Sequence, residues 1–213
     1  MENRATVLSA RGNRDIHMTI IPGHFATNHS HVNYYIDLTG LKCQHRMAQA
    51  AAHELAQAYA TSTPVDTIIC LEGTEMVGAF LAAELTQAGA VNMNTGNDIC
   101  VLTPEMNSNN QMIFRDNTQR MVWGKHVLLL MASVSTGKSI NRATDCLRYY
   151  NGQLVGIASL FSAVSERNGM PIRSIFTDED IAGYRTYLSG DCEMCQNGQK
   201  LDAIINSFGY SKI

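Results

Sequence analysis

The stretch most able to do chemistry runs from Val127 to Ser139. An apolar run (Val127, Leu128, Leu129, Leu130, Met131) gives way to Ser133, Ser135, Thr136, Gly137, Lys138 and Ser139. A buried strand that ends in small hydroxyl residues and a glycine, with a helix following at once, makes an anion site. The first N–H groups of a helix have no intrahelical acceptor, and the helix dipole favours negative charge beside them. The hydroxyls add donors, Gly137 lets an anion approach the backbone closely, and Lys138 adds charge. Ser and Thr also cap ordinary helices, so a capped helix without a ligand is the plain alternative. Six suitable residues in seven positions favour the anion site.

The spacing Ala132-x-x-x-x-Gly137-Lys138-Ser139 is one glycine short of a nucleotide-triphosphatase P-loop. That chemistry also needs a carboxylate at the end of a later strand to hold Mg²⁺. The next apolar run, Leu154 to Phe161, ends instead in Ser162-Ala163, which makes the P-loop a distant alternative. Two further groups have metal-ligating types. His24, His29 and His31 cluster near the N-terminus, with no Cys or carboxylate close to them in sequence to complete a site. Cys192 and Cys195 have the spacing of half a zinc site, which needs four ligands. Reduced cysteines packing the C-terminal segment are the plainer reading, and the remaining cysteines sit singly in apolar patterns.

These residues need a scaffold, and hydrophobic patterning supplies one. Residues 41–61 are Ala-rich with apolar positions at helical spacing, and Pro64 ends the pattern. Val65 to Leu71 is a short apolar run suited to a buried parallel strand. The turn Glu72-Gly73-Thr74 follows, and helical spacing returns from Met76 to Ala88. Apolar runs recur at Asp98–Leu102, His126–Met131, Leu154–Phe161 and Ile172–Phe176, with a helix over Lys138–Tyr150 that Asn151-Gly152 closes. Residues 103–120 are polar and Asn-rich, with a short strand at Gln111–Phe114, and read as a flap. Strand–helix–strand alternation predicts an α/β fold with a parallel sheet covered by helices on both faces.

Val127 to Ser139 resembles the loop of type I phosphoribosyltransferases that binds phosphoribosyl pyrophosphate (PRPP). Leu71-Glu-Gly-Thr-Glu-Met-Val-Gly78 resembles that family's pyrophosphate loop. His24-Phe25 and Asn33-Tyr34-Tyr35-Ile36-Asp37-Leu38 resemble the pyrimidine-recognition segment of orotate phosphoribosyltransferases. Cys192-Glu-Met-Cys195-Gln-Asn-Gly198 resembles a motif near the C-terminus of some of them. The four motifs fall in the family's order over residues 23–198.

The resemblance implies one domain, with a core of about 41–176 and a small hood from about 1–40 and 177–213. It implies transfer of ribose 5-phosphate from PRPP to a base, as in pyrimidine biosynthesis, with Mg²⁺ on the pyrophosphate. Ser133, Ser135, Thr136, Gly137, Lys138 and Ser139 would hold the 5′-phosphate; Gly73, Thr74 and Glu75 would bracket the pyrophosphate; Phe25, His31, Tyr34 and Tyr35 would line the base pocket. It also implies a homodimer whose flap closes over the neighbouring subunit's ligand.

Two departures stand out. Met131 and Ala132 occupy the positions of the family's acidic pair, which holds the ribose hydroxyls. Thr103 to Gln111, where the family's flap carries lysines and a His, has no basic residue, leaving Arg115 and Arg120 as substitutes. A non-catalytic protein that binds PRPP or a nucleotide is therefore the second expectation.

Composition limits the rest. Apolar residues make up 45% of the 213, enough for a buried core, and a net charge of −3 disfavours a broad basic surface for nucleic acid. No run approaches the roughly 18 apolar residues of a membrane helix, and the charged N-terminus is unlike a signal peptide. The expectation is a cytoplasmic protein with a small phosphorylated ligand.

Overall fold

The computed structural model describes residues 1–213 except 89–91, 109–110 and 189. Strands β1 (Thr6–Ala10), β2 (Asn13–Ala26) and β3 (Ser30–Asp37) form an antiparallel meander, followed by helices α1 (Thr39–Cys43) and α2 (His45–Ala56). Next come β4 (Thr67–Cys70), α3 (Glu75–Thr86) and β5 (Cys100–Leu102). A two-stranded flap of β6 (Glu105–Met106) and β7 (Met112–Ile113) leads into α4 (Asp116–Gln119). The chain continues through β8 (His126–Val134), α5 (Lys138–Tyr149), β9 (Gln153–Ser162), β10 (Glu166–Arg167) and β11 (Met170–Thr177). The last elements are β12 (Thr186–Leu188), α6 (Glu193–Gln196), β13 (Ala203–Asn206) and β14 (Gly209–Lys212).

The larger part is built on a sheet of order β10-β11-β9-β8-β4-β5, parallel throughout except at β10. Strand β8 shows why it is buried on both sides. Leu128, Leu130 and Ala132 face one core with α2 and α3, while Val127, Leu129 and Met131 face the other with Ile140, Ala143 and Leu147 of α5. Alternation along a strand, with both faces apolar, demands a helix layer on each side. Each fully buried Leu or Ile contributes about 1.5–3 kcal/mol of transfer free energy, so α5 is held mainly by Ile140 and Leu147. The parallel sheet with two helical layers is thus as the patterning predicts.

The helix expected over 41–61 is broken. Gln44 is extended (ψ 112°) between α1 and α2, and α2 ends at Ala56. The N-terminal strands, unmarked in the sequence, join β12, β13 and β14 in a second six-stranded sheet. Strand β2 hides its pattern at Pro22-Gly23, where its register against β3 shifts. Proline lacks the donor a ladder needs, and a bulge puts consecutive residues on one face.

Candidate functional site

Strand order reverses between β4 and β8: the chain passes from β4 outward to β5, then returns to place β8 on the other side. Loops leaving the carboxyl ends of two such strands diverge and leave a crevice, the usual ligand position in an open α/β sheet. Those loops are Leu71–Thr74 and Ser133–Gly137, so the fold brings together two of the segments singled out from sequence.

In the second loop Gly137 sits at φ +74° as the residue before α5. The hydroxyls of Ser135, Thr136 and Ser139 have no hydrogen-bond partner among the described residues, and Lys138 opens the helix. A cation missed by sequence reasoning stands here too. Arg167 of β10 lies against Gly137, so that a Cβ at Gly137 would come within 3.0 Å of its Cδ. Asn141, one turn into α5, accepts from Arg167 Nε at 2.8 Å and fixes the guanidinium beside the loop. No motif marks Arg167; only the β9–β11 connection brings it back to the start of α5.

The first loop supplies a carboxylate rather than open amides. Glu72 adopts φ 63°, and its Oε2 accepts the Ser133 N–H at 3.0 Å. Burial pushes the Glu72 carboxyl above its ordinary range, against the opposing pull of the Ser133 amide, Lys42 and the Ala132 amide. A carboxyl so perturbed in a cleft is a signature of a functional position. Lys42 Nζ donates to Glu72 O at 3.2 Å and to Ser207 O at 2.7 Å, joining this loop to the β13–β14 turn. Gly78, the last residue of the motif, serves packing: a Cβ there would overlap Cys70 Sγ on β4.

Between the two sheets lies a cleft whose walls include Tyr35, Asp37, Lys42, Ala132, Ser133 and Ser207. Ala132 lines it, where the resembling family has an acid, and Met131 turns away into the α5 core. Tyr35 is buried, which pushes its phenol up to about 12, and its ring meets Tyr210 edge-on at 5.1 Å.

The other expected site residues are placed as follows. Phe25 is wholly buried in the small core under the second sheet. Tyr34, on the opposite face of β3 from Tyr35, donates to Ala182 O at 3.3 Å. His31 meets His24 and Cys195. Thr74 is buried and donates to Leu71 O and Leu130 O, so it ties the loop to the sheet and offers nothing to a ligand. Gly73 is exposed, while Glu75 accepts from Thr103 at the start of the flap at 2.8 Å.

The two arginines also lie away from the crevice within their own chain. Arg115 is paired by two 2.7 Å hydrogen bonds with Glu105. Its neighbour Phe114 packs on Tyr150, just past the carboxyl end of α5, about 18 Å along that twelve-residue helix from Gly137. Arg120 precedes Met121, whose carbonyl accepts from Thr67 at the amino end of β4, the opposite end of the sheet from both loops.

No family model and no curated protein matches the sequence. Solved structures do. The orotate phosphoribosyltransferase of Mycobacterium tuberculosis H37Rv, in complex with Fe(III) dicitrate, matches 71% of this chain and 85% of its own at 18% identity and TM-score 0.51. A phosphoribosyltransferase from Corynebacterium diphtheriae matches 70% of this chain and 85% of its own at 22% identity and TM-score 0.51. The chain spans 30% of the length of Leishmania donovani UMP synthase, with 68% of its own covered, 18% identity and TM-score 0.49. The chain has the type I phosphoribosyltransferase fold. No helix among the described residues is long and apolar enough to cross a membrane.

Proposed function

We propose that the protein binds PRPP in the cleft at the carboxyl ends of β4 and β8 and transfers its ribose 5-phosphate to a nitrogenous base, releasing pyrophosphate. The observation that carries this reading is the Ser135–Ser139 turn. Its left-handed Gly137, unengaged hydroxyls and Arg167 meet at a helix start on the switch point of the sheet. A 5′-phosphate there would take backbone N–H groups, hydroxyls and one fixed guanidinium, the charge-assisted contacts that phosphate favours. A solved orotate phosphoribosyltransferase of the same fold in complex with PRPP supports this choice of ligand.

Catalysis in such a site rests on positioning and on stabilising charge that develops as the bond from C1′ to pyrophosphate breaks and the bond to the base nitrogen forms. Glu72, delivered from the neighbouring loop onto the Ser133 amide, brings a carboxylate beside the place left by Ala132, and we assign it the ribose hydroxyls. Mg²⁺ keeps much of its shell on substrate phosphates and takes one or two carboxylates from protein; Asp37, in the cleft wall, would be one such donor. Mg²⁺ would neutralise the leaving pyrophosphate. Tyr35 would face the base, and a homodimer would place a second subunit's flap over the site.

The apolar Ala132 favours a second reading, a protein that binds PRPP or a nucleotide without turnover. Incubation with PRPP, Mg²⁺ and a panel of purine and pyrimidine bases separates the two. Pyrophosphate release with one base, abolished by Gly137→Ala, supports the transferase. Tight PRPP binding with no release from any base supports the binding protein, and no PRPP binding overturns both.

A further inference from the structure

We propose that His24, His31, Cys192 and Cys195 form a Cys₂His₂ zinc site that fastens the C-terminal segment to the β2–β3 hairpin. The four ligand atoms lie within 4.8 Å of one another. His24 Nε2 is 3.0 Å from His31 Nδ1, 3.5 Å from Cys192 Sγ and 3.6 Å from Cys195 Sγ, and Cys195 Sγ is 3.3 Å from His31 Nδ1. Zinc bound tetrahedrally, at about 2.3 Å from sulfur and 2.0–2.1 Å from nitrogen, sets ligand–ligand edges of about 3.3 Å for N–N, 3.6 Å for N–S and 3.8 Å for S–S. Four of the six edges therefore already match a zinc tetrahedron to within a few tenths of an ångström, and the two edges from Cys192 to Cys195 and His31 lie within 4.8 Å.

The surroundings point the same way. His24 Nδ1 lies 2.9 Å from the carbonyl oxygen of Gln199. A carbonyl can only accept, so Nδ1 carries the proton and Nε2 directs a lone pair into the cluster. A ligand imidazole held through its other nitrogen by a carbonyl is the usual outer support of a protein metal. The backbone beside it is fixed as well: His24 N donates to Asp202 Oδ2 at 2.9 Å, Asp202 N donates back to His24 O at 2.8 Å, and Arg4 holds Asp202 Oδ1 at 2.6 Å. His24 is wholly buried and Cys192 nearly so, whereas Cys195 and His31 reach the surface. The metal would thus have an inner wall and an outer access route. Two thiolates and two neutral imidazoles around Zn²⁺ sum to no net charge, which suits the partial burial.

The role is structural, since all four positions of the tetrahedron are filled by protein and none is left for substrate. The ligands come from β2 and β3, which are already paired as a hairpin, and from the start of α6, so the metal would tie the C-terminal segment to that hairpin. The sequence hid the site because its halves are 168 residues apart. The His cluster has no cysteine near it in the chain, and the Cys pair has no histidine.

The test is metal content in the full-length protein, purified under reducing conditions and reconstituted with Zn²⁺ alone. About one zinc per chain should survive desalting. Cys195→Ser and His31→Ala, both at the accessible edge, should lose it, while Cys43→Ser, an exposed cysteine outside the cluster, should keep it. Replacement of zinc by Co²⁺ in the unmutated protein should give tetrahedral cobalt bands and thiolate-to-cobalt charge transfer, a readout independent of whether the variants fold. A strong chelator should lower the thermal midpoint of the wild type. Absence of zinc after reconstitution, equal zinc in wild type and both variants, or a Cys192–Cys195 disulfide in protein from reducing conditions would overturn the site.

Discussion

Substituting Gly137 separates a ligand-binding turn from a merely structural one. At φ +74° the residue lies where an L side chain is strained, at a cost of about 1–3 kcal/mol. For a chain of 150–250 residues this lowers the thermal midpoint by about 2–4 °C per kcal/mol, so Gly137→Ala should melt earlier yet remain folded at 25 °C. Its Cβ would also stand 3.0 Å from Arg167 Cδ and 3.4 Å from Nε, driving the guanidinium off the turn. Loss of one charge-assisted hydrogen bond is worth about 1.5–3 kcal/mol, which is about 10- to 150-fold in affinity. The assay is calorimetric titration with ribose 5-phosphate and with PRPP plus Mg²⁺. Gly96→Ala is the matched control, because Gly96 has φ +78° with open space where its Cβ would go. It should show the same backbone cost and unchanged affinity. Equal affinity in Gly137→Ala and wild type would refute the assignment of the 5′-phosphate to this turn.

Other outcomes follow from the same geometry. Arg167→Ala should weaken phosphate binding with little change in stability, and Arg167→Lys should restore part of it, both read by titration. Glu72→Gln should lower affinity for PRPP relative to a ribose-free pyrophosphate, and Ala132→Asp added to it should restore part of the loss, whereas Met131→Glu should unfold the protein in a thermal melt because that side chain is buried against α5. Burial raises the Glu72 carboxyl, so its folded form binds a proton more readily than its unfolded form. The stability this adds is present below the ordinary Glu range and is lost as pH rises through the raised value. The midpoint of Glu72→Gln minus that of wild type should therefore increase over that rise, and a flat difference would contradict the perturbation. Light scattering should give the mass of a dimer, and a monomer at working concentrations would remove the neighbouring subunit's flap from the site.

The parallel core was legible because its strands obey a simple rule. A run such as Val127–Met131, apolar at every position, can only be a strand buried on both faces or a buried helix, and the flanking turns chose between them. The second sheet was not legible, since Pro22-Gly23 interrupts its longest strand and three of its six strands, β12 to β14, have only three or four residues each. Within the candidate site, the residues next to a strand end were legible, because chain order puts them there: Ser135, Thr136, Gly137 and Lys138. Arg167 and Lys42 were not, because each reaches the cleft from a different element; Glu72 stood in the quoted turn, but its role depends on the contact with Ser133 across the two loops. The Asn-rich flap gave its strand at Met112–Ile113, but its arginines are at the wrong end of the helix layer to meet a phosphate in their own subunit.

The account stands on the placement of PRPP across the β4 and β8 loops, and hydrogen exchange read by mass spectrometry tests that placement directly. With PRPP and Mg²⁺ present, amides of residues 72–75 and 133–140 should exchange more slowly than in the free protein. Those of the β6–β7 flap should slow to a smaller degree, and residues 192–199 should not change. Unaltered exchange at 133–140 under saturating PRPP, or protection confined to another surface, would contradict it.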